Sequence, residues 1–185
     1  MCGIVGVVGR PGEYFPSHVL DNMMHKIAHR GPDSQDRFNC PEHGVFFGHT
    51  RLAVMDLSPS GAQPMTSASG RYTIVNNGEI YNFRDLRREI DARGLVNWCG
   101  SSDTEVLLAG FEVWGFEKTL RRAEGMFAMA VWDAVRGRVL LARDRLGVKP
   151  LFMAPLSDCS LAFASELKGL LAHPLLRPES DPRAI

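Results

Sequence analysis

The second residue of the chain carries a potential nucleophile. Cys2 directly follows the initiator methionine, and the apolar run 3–9 follows the cysteine. If Met1 is removed, Cys2 presents a thiol and a free α-amino group on one residue. An ordinary thiol titrates near ~8.5 and an α-amino group near ~7.7–8.0, so each is partly in its reactive form at neutral pH. The amine can then act as general base for the thiol, as in other activated nucleophile–base pairs.

An arginine stands where the surrounding residues predict burial. Arg51 follows Gly48-His49-Thr50 within the strand predicted over 45–54. A buried charge is costly unless it is paired, and the planar guanidinium matches a carboxylate bidentately. The partner is either an acid of the chain itself, in an internal salt bridge, or the carboxylate of a ligand.

An asparagine and a glycine follow a predicted strand over 72–77. Asn-Gly is typical of a hairpin turn. Here Asn82 stands at the expected N-cap of a helix that Gly94 closes, which disfavours the hairpin. Strand, Asn77-Gly78 and helix can bring a side-chain amide and a bare backbone N–H together. Such a pair can stabilise an oxyanion.

A serine and an aspartate precede the next helical pattern, which runs to about Gly115. Ser102 or Asp103 is expected to cap this helix. Capping by Asp103 is compatible with a second role in binding.

Composition sets limits on the function. The 185 residues have a formal net charge of zero, which predicts neither nucleic acid nor a membrane surface as partner. The four cysteines form no CxxC pair, which predicts free thiols in the reducing cytoplasm. Lys26 follows His25 where a zinc-protease HExxH motif needs glutamate, so no metal site is expected at His25 and His29.

The remaining elements predict a layered α/β sandwich. Ser17 is expected to cap a helix over about 18–29, followed by loops at 29–33 and 56–63. Strands over 126–132 and 138–142 form a hairpin, and both are apolar without alternation, so both faces must be covered. Two shorter strands near 150–154 and 161–164 and a helix over 165–172 complete the pattern.

Seven motifs occur together and in order, and they resemble the glutaminase domain of the class II glutamine amidotransferases. The resemblance is strongest to the glutamine-hydrolysing asparagine synthetases and runs from residue 2 to about residue 173. The motifs are Cys2-Gly3-Ile4-Val5-Gly6, His29-Arg30-Gly31-Pro32-Asp33, Thr50-Arg51-Leu52, Asn77-Gly78-Glu79-Ile80-Tyr81-Asn82, Ser102-Asp103, Gly125-Met126-Phe127-Ala128 and Arg143-Asp144-Arg145-Leu146-Gly147-Val148-Lys149-Pro150-Leu151.

The resemblance implies an N-terminal nucleophile hydrolase fold, which is a four-layer αββα sandwich of two antiparallel sheets. It implies that Cys2 attacks the side-chain amide of L-glutamine, with its own α-amino group as base. The Asn77 side chain and the Gly78 backbone N–H would form the oxyanion hole. Arg51 would hold the substrate α-carboxylate, and Glu79 and Asp103 would lie near its α-amino group. The loop that lines this pocket would contain Leu52, Val54 and Met55.

The resemblance also implies a partner domain that is not in this sequence. In the family, ammonia passes to a C-terminal synthetase domain that uses ATP and magnesium, and no SGGxDS-type string or P-loop occurs here. We therefore expect residues 1–185 to be one glutaminase domain, C-terminally truncated and lacking its last strands, with no cofactor of its own. The parent chain is expected to be cytoplasmic and able to form a homodimer. Nothing before residue 185 separates aspartate from other acceptors.

Two other hypotheses stay open at this stage. In the first, Cys2 uses His49 as a conventional base, and Met1 can then stay attached. In the second, the chain is a non-catalytic interaction or regulatory module that keeps the fold.

Overall fold

The computed structural model of the chain describes residues 1–12, 15–94 and 96–179. The strands are β1 (Gly3–Val8), β2 (Ser34–Cys40), β3 (Val45–Arg51), β4 (Met65–Thr66), β5 (Tyr72–Ile80), β6 (Gly125–Asp133), β7 (Arg138–Arg143), β8 (Phe152–Pro155) and β9 (Leu161–Ala164). The α-helices are α1 (Ser17–Lys26), α2 (Phe83–Asp91), α3 (Asp103–Trp114), α4 (Phe116–Arg122) and α5 (Leu167–Leu171). Within these described ranges, no helix is both long enough and apolar enough to cross a bilayer.

The nine strands form two antiparallel sheets. The first sheet has the order β2-β3-β1-β9-β8, and the second has the order β4-β5-β6-β7. Strand β1 is central in the first sheet and pairs with β3 from Gly3 opposite Thr50. The longest pairing of the second sheet joins β5 to β6, from Tyr72 opposite Asp133 to Ile80 opposite Gly125.

Three apolar clusters separate four layers. One cluster lies between the two sheets and contains Ile4, Phe47, Val75 and Phe163. A second packs α1 and α5 on the first sheet, and a third packs α2 and α3 on the second. The predicted αββα sandwich of two antiparallel sheets is therefore confirmed.

Sequence patterns located the buried strands better than the exposed one. Strand β2 was not predicted, because residues 34–39 are polar or half-exposed and leave no apolar alternation. The predicted helix over 18–29 is shorter: α1 ends at Lys26, and a separate 3₁₀ turn covers Ala28–Arg30.

Two of the predicted helix caps are wrong in detail. Ser17 is the first residue of α1, its N-cap is the extended Pro16, and no side chain caps it. Asn82 does occupy the N-cap position of α2, but its side chain contacts the Arg122 carbonyl and the Glu124 N–H instead. Asn82 thereby ties the start of α2 to the segment that leads into β6.

Candidate active site

One cavity of about 120 Å³ collects every residue that the sequence predicted for catalysis or binding. They come from β1, β3 and its following loop, β5 and the start of α3. These lining residues are Cys2, Arg51, Leu52, Val54, Met55, Asn77, Gly78, Glu79 and Asp103.

The candidate nucleophile stands at the start of the central strand of the first sheet. Cys2 is half-buried, and its Sγ lies 3.4 Å from the Leu52 nitrogen and 3.5 Å from the Leu52 carbonyl oxygen. The Arg30 Nε donates to the Cys2 carbonyl at 2.9 Å, which holds the residue from its main chain. The thiol is therefore anchored while one side of it faces the cavity.

Arg30 is itself held by an acid from the end of β9. Its Nη1 lies 2.8 Å from Glu166 Oε1, and His29 and Lys168 bind the same carboxylate. Burial alone would raise the pKa of Glu166, but hydrogen bonds from Arg30, Lys168 and His29 lower it to about 2. Glu166 therefore stays ionised and keeps Arg30 in place beneath Cys2.

The edge of β5 supplies the backbone donor. Backbone N–H groups of an antiparallel strand point alternately to its two edges. Those of Asn76 and Ile80 point away from β6, towards Gln63 Oε1 at 2.6 Å and Asp103 Oδ2 at 2.8 Å. Gly78 lies between them with the same direction, and β4 pairs with β5 only at Thr73 and Ile74. Among the described strands, the register therefore leaves the Gly78 N–H without a ladder partner, in the wall of the cavity.

The side chain of Asn77 supplies a second donor. Asn77 is 1% exposed, and its Nδ2 is buried without a hydrogen-bond partner among the described residues. A buried amide without a partner costs free energy in the unliganded fold, and Nδ2 is free to donate to an acceptor that enters the cavity. The hairpin alternative for Asn77-Gly78 is wrong, because both residues continue β5 opposite β6.

The guanidinium of Arg51 is held by main-chain oxygens of the next loop. Its Nη2 donates to the carbonyls of Asp56 and Ser58, the latter at 3.1 Å. A Cβ on Gly61 would lie 2.5 Å from this nitrogen, so the loop closes tightly over it. In the part of the chain that the structure describes, Arg51 has no carboxylate partner, so the internal salt bridge does not form.

Two carboxylates, those of Glu79 and Asp103, also line the cavity. Asp103 is the first residue of α3 and is 6% exposed, while Ser102 caps this helix by accepting from the Glu105 N–H. Burial raises the pKa of Asp103, and the neighbouring charge of Glu79 adds to the rise. The lining thus includes the Arg51 guanidinium and the carboxylates of Glu79 and Asp103, three groups that together complement an amino acid zwitterion.

Sequence reasoning missed several other residues that line the cavity, and four of them have polar side chains that bear on the site. They are Asp56, Gln63, Thr104 and Lys149. Asp56 accepts from Ser58 and Ser101, and these bonds lower its pKa to about 2, so it joins the Arg51 loop to the start of α3. Lys149 is 4% exposed, and its Nζ lies 3.0 Å from Met1 Sδ. In the sequence, Lys149 stood out only as a member of the motif that begins at Arg143. No local pattern distinguished Gln63.

His49, the base of one alternative hypothesis, does not line this cavity. It is 1% exposed and its Nε2 contacts the Asn76 carbonyl oxygen at 3.3 Å. Burial lowers its pKa to about 4, so the ring is neutral at neutral pH. The geometry does not favour His49 as the base for Cys2.

The fold and the site together define a class of protein. Two antiparallel sheets between helical layers, with the first strand in the centre of one sheet, form the N-terminal nucleophile hydrolase architecture. A solved structure of glutamine phosphoribosylpyrophosphate amidotransferase from Bacillus subtilis shares this fold, with a TM-score of 0.77 and 19% identity. The match covers 92% of this chain and 43% of that one.

The chain belongs to the glutamine amidotransferase domain family, which matches residues 1–185. It is 44% identical over 184 residues to asparagine synthetase [glutamine-hydrolyzing] 3 of Bacillus subtilis, a match that covers 98% of this chain. A putative asparagine synthetase [glutamine-hydrolyzing] of Mycobacterium tuberculosis is 38% identical over 184 residues, covering 92% of this chain. The chain spans only 29% and 28% of the lengths of these two relatives.

Proposed function

We propose that this chain hydrolyses L-glutamine to glutamate and ammonia with mature Cys2 as the nucleophile. One observation carries the proposal. The cavity that contains the Cys2 thiol is also lined by Asn77, whose buried Nδ2 has no partner among the described residues, and by Gly78, whose N–H lies at a strand edge that no described strand covers. Two donors beside a thiol are the groups that acyl transfer through a tetrahedral oxyanion requires.

The first half-reaction releases ammonia. The α-amino group of mature Cys2 takes the thiol proton, and Sγ forms a bond to the side-chain carbonyl carbon of glutamine. The carbonyl oxygen becomes an oxyanion that accepts hydrogen bonds from Asn77 Nδ2 and the Gly78 N–H. Collapse of this intermediate breaks the C–N bond, and the ammonium of Cys2 returns its proton to the leaving amine.

The second half-reaction releases glutamate. Water attacks the thioester carbon and gives its proton to the α-amino group of Cys2. The same two donors hold the second oxyanion, and its collapse breaks the C–S bond. The thiol recovers its proton from the α-ammonium group, so the enzyme returns to its starting state.

The charged lining accounts for the choice of substrate. Arg51 would bind the α-carboxylate of glutamine, and Glu79 and Asp103 would bind its α-amino group, as paired opposite charges in a desolvated site. Leu52, Val54 and Met55 would cover the aliphatic part of the substrate. Glutamate binds the same groups but lacks an amide to cleave.

For the whole protein, we propose that ammonia passes to a synthetase domain that makes asparagine or a related amide. The named relatives, which are much longer, support this role. That domain, not this one, would use ATP and magnesium. The cytoplasm suits the chain because its four cysteines are free thiols. Homodimerisation of the full-length protein is part of the same proposal.

The direct test measures glutamate release from glutamine and labelling by a diazo-ketone glutamine analogue. Intact mass should show loss of Met1 and one adduct, placed on Cys2 by peptide mapping. Cys2→Ser should abolish both the adduct and glutamate release, lowering the rate by at least about 10³-fold.

The exposed thiols provide an internal control. Cys99 and Cys159 are more accessible than Cys2, so nonspecific alkylation would reach them first. Label on these residues with Cys2 unmodified, in a folded protein, would refute the nucleophile assignment. Full activity with Met1 retained would instead favour a conventional base, and a folded, mature chain without turnover would favour the non-catalytic module.

A further inference from the structure

The main chain of Asn76 is held at both of its polar groups by buried side chains. Its N–H donates to Gln63 Oε1 at 2.6 Å, and its carbonyl accepts from His49 Nε2 at 3.3 Å. Gln63 is 8% exposed and His49 is 1% exposed. Asn76 directly precedes Asn77, so both bonds act next to the two oxyanion donors.

Gln63 is fixed in turn by the helix that carries an acid of the site. Its Nε2 donates to Thr104 Oγ1 at 3.3 Å, and Thr104 follows Asp103 at the start of α3. Gln63 therefore connects the open edge of β5 to the element that presents Asp103. Both groups of this amide are used, so its orientation is determined by the contacts rather than arbitrary.

His49 binds the carbonyl of Asn76 as an uncharged hydrogen-bond donor. A carbonyl oxygen only accepts, so Nε2 must carry the proton, and Nδ1 is buried without a partner among the described residues. The lowered pKa keeps the ring uncharged at neutral pH. This ring can therefore orient a peptide group without adding a charge beside the developing oxyanion.

These contacts hold the edge of β5 where β4 no longer pairs with it. Beyond Ile74 no strand described here pairs with this edge of β5, so no ladder restrains the peptide groups there. The Gly78 N–H leaves the strand two residues after that of Asn76, on the same edge. A donor displaced by ~1 Å can lower a rate about 10²-fold, so a restraint here matters to catalysis.

We propose that Gln63 and His49 are positioning residues that orient the Asn77–Gly78 oxyanion donors through the main chain of Asn76. The proposal rests on the proposed hydrolysis of glutamine. It concerns the rate of oxyanion formation and not the binding of the amino acid, which belongs to Arg51, Glu79 and Asp103.

The kinetic test uses Gln63→Met in the mature full-length protein, because methionine fills a similar volume without an acceptor. The kcat for glutamate release should fall by about 10–100-fold, with KM within about threefold of the wild-type value. Gln35→Met changes the same residue type on the exposed strand β2 and should leave both constants unchanged. A rise in KM with an unchanged kcat would overturn the proposal.

A second readout does not depend on turnover. In Gln63→Met, amide hydrogen exchange at Asn76 should accelerate by at least about tenfold, while exchange at Ile80, held by Asp103, stays slow. Gln63→Glu keeps an acceptor and should keep Asn76 protected. Unchanged Asn76 exchange in Gln63→Met would overturn the positioning role. If the wild type releases no glutamate, the proposed function fails and takes the catalytic part of this inference with it, while the exchange data still decide whether Gln63 restrains the Asn76 main chain.

Discussion

The two edges of β5 are built in opposite ways. Towards β6, all nine residues from Tyr72 to Ile80 have a partner strand residue. Towards the cavity, β4 covers only Thr73 and Ile74, and farther along the edge side chains take the place of a strand. Gln63 and Asp103 accept from the N–H groups of Asn76 and Ile80, and the Gly78 N–H between them has no partner among the described residues.

Strand β5 shows how a sheet can present one backbone N–H donor at a chosen place. A full ladder on both edges would bury every N–H, and an entirely open edge would offer several to water or to another chain. Here one rigid edge fixes the strand, and two side chains on the other edge select a single free N–H. In the proposed reaction, the cost of leaving it free would be recovered when the oxyanion forms.

The largest expected effect comes from breaking the paired edge. A Cβ at Gly78 would lie 2.3 Å from the Met126 carbonyl oxygen and 2.5 Å from the Phe127 Cα, both backbone atoms that cannot move aside cheaply. Gly78→Ala should lower the free energy of unfolding by about 4 kcal/mol and abolish glutamate release. Urea unfolding measures the first effect. Gly9→Ala, where an added Cβ would come no closer than 3.7 Å, to the Ser160 Cβ, is the control for a glycine that lacks such contacts.

The open edge can be tested by removing its second donor. Asn77→Ala should lower kcat by about 10²–10³-fold, because the transition state loses one hydrogen bond to the oxyanion. Stability should change little by comparison, since Nδ2 has no partner to lose among the described residues. A loss of stability that matches the loss of activity would instead identify Asn77 as a structural residue.

The neutral donor behind the open edge predicts a pH dependence of stability. Burial lowers the pKa of His49 to about 4, the charge of Arg51 adds to this, and the Asn76 carbonyl and Asp36 oppose it. Between the folded pKa of about 4 and the ordinary histidine pKa of ~6.5, His49 binds more protons in the unfolded chain than in the folded one. The free energy of unfolding therefore falls as the pH drops through this window, by up to roughly 3 kcal/mol.

Unfolding free energies at pH 7, 5.5 and 4 measure this dependence. His49→Phe should be less stable at pH 7, because the Asn76 carbonyl loses its donor, and should lose most of the dependence between pH 6.5 and 4. An identical slope in the variant would assign the acid sensitivity to other groups, such as His173, whose pKa burial also lowers.

The smallest expected effect concerns the acid at the end of the open edge. Asp103→Asn keeps an acceptor for the Ile80 N–H but removes a charge from the cavity. The KM for glutamine should rise by at least about tenfold, with a smaller change in kcat. Glu105→Gln is the matched control. Glu105 lies in the same helical turn but accepts from the Cys99 and Gly100 N–H groups, so its neutralisation should leave KM unchanged.

The buried parts of the fold and the charged part of the site could be predicted from the sequence. Strands such as β1 and β6 are apolar throughout, and Cys2, Arg51 and Asp103 are residues whose chemistry demands a partner. Strand β2 could not be predicted, because a polar stretch of this kind is as typical of a loop as of an exposed edge strand.

The supporting residues were missed for a different reason. Gln63 lies in a loop, and its importance depends on a strand and a helix, β5 and α3, that meet it only in the folded chain. The hydrogen-bond partner of His49 lies 27 residues away, so no local pattern records it. Residues that act through other residues leave little trace in one sequence.

The two edge strands of the first sheet, β2 and β8, differ in a way that affects self-association of the protein. β2 ends the sheet with charged and polar side chains, including Asp36 and Arg37, which discourage the addition of another strand. β8 ends it on the other side with Phe152 38% and Met153 56% exposed. Among the described strands of this sheet, the side chains at the β8 edge therefore oppose the addition of another strand less than those at the β2 edge. Self-association of the isolated domain should begin at β8, and a charge introduced there is the natural route to a more soluble protein.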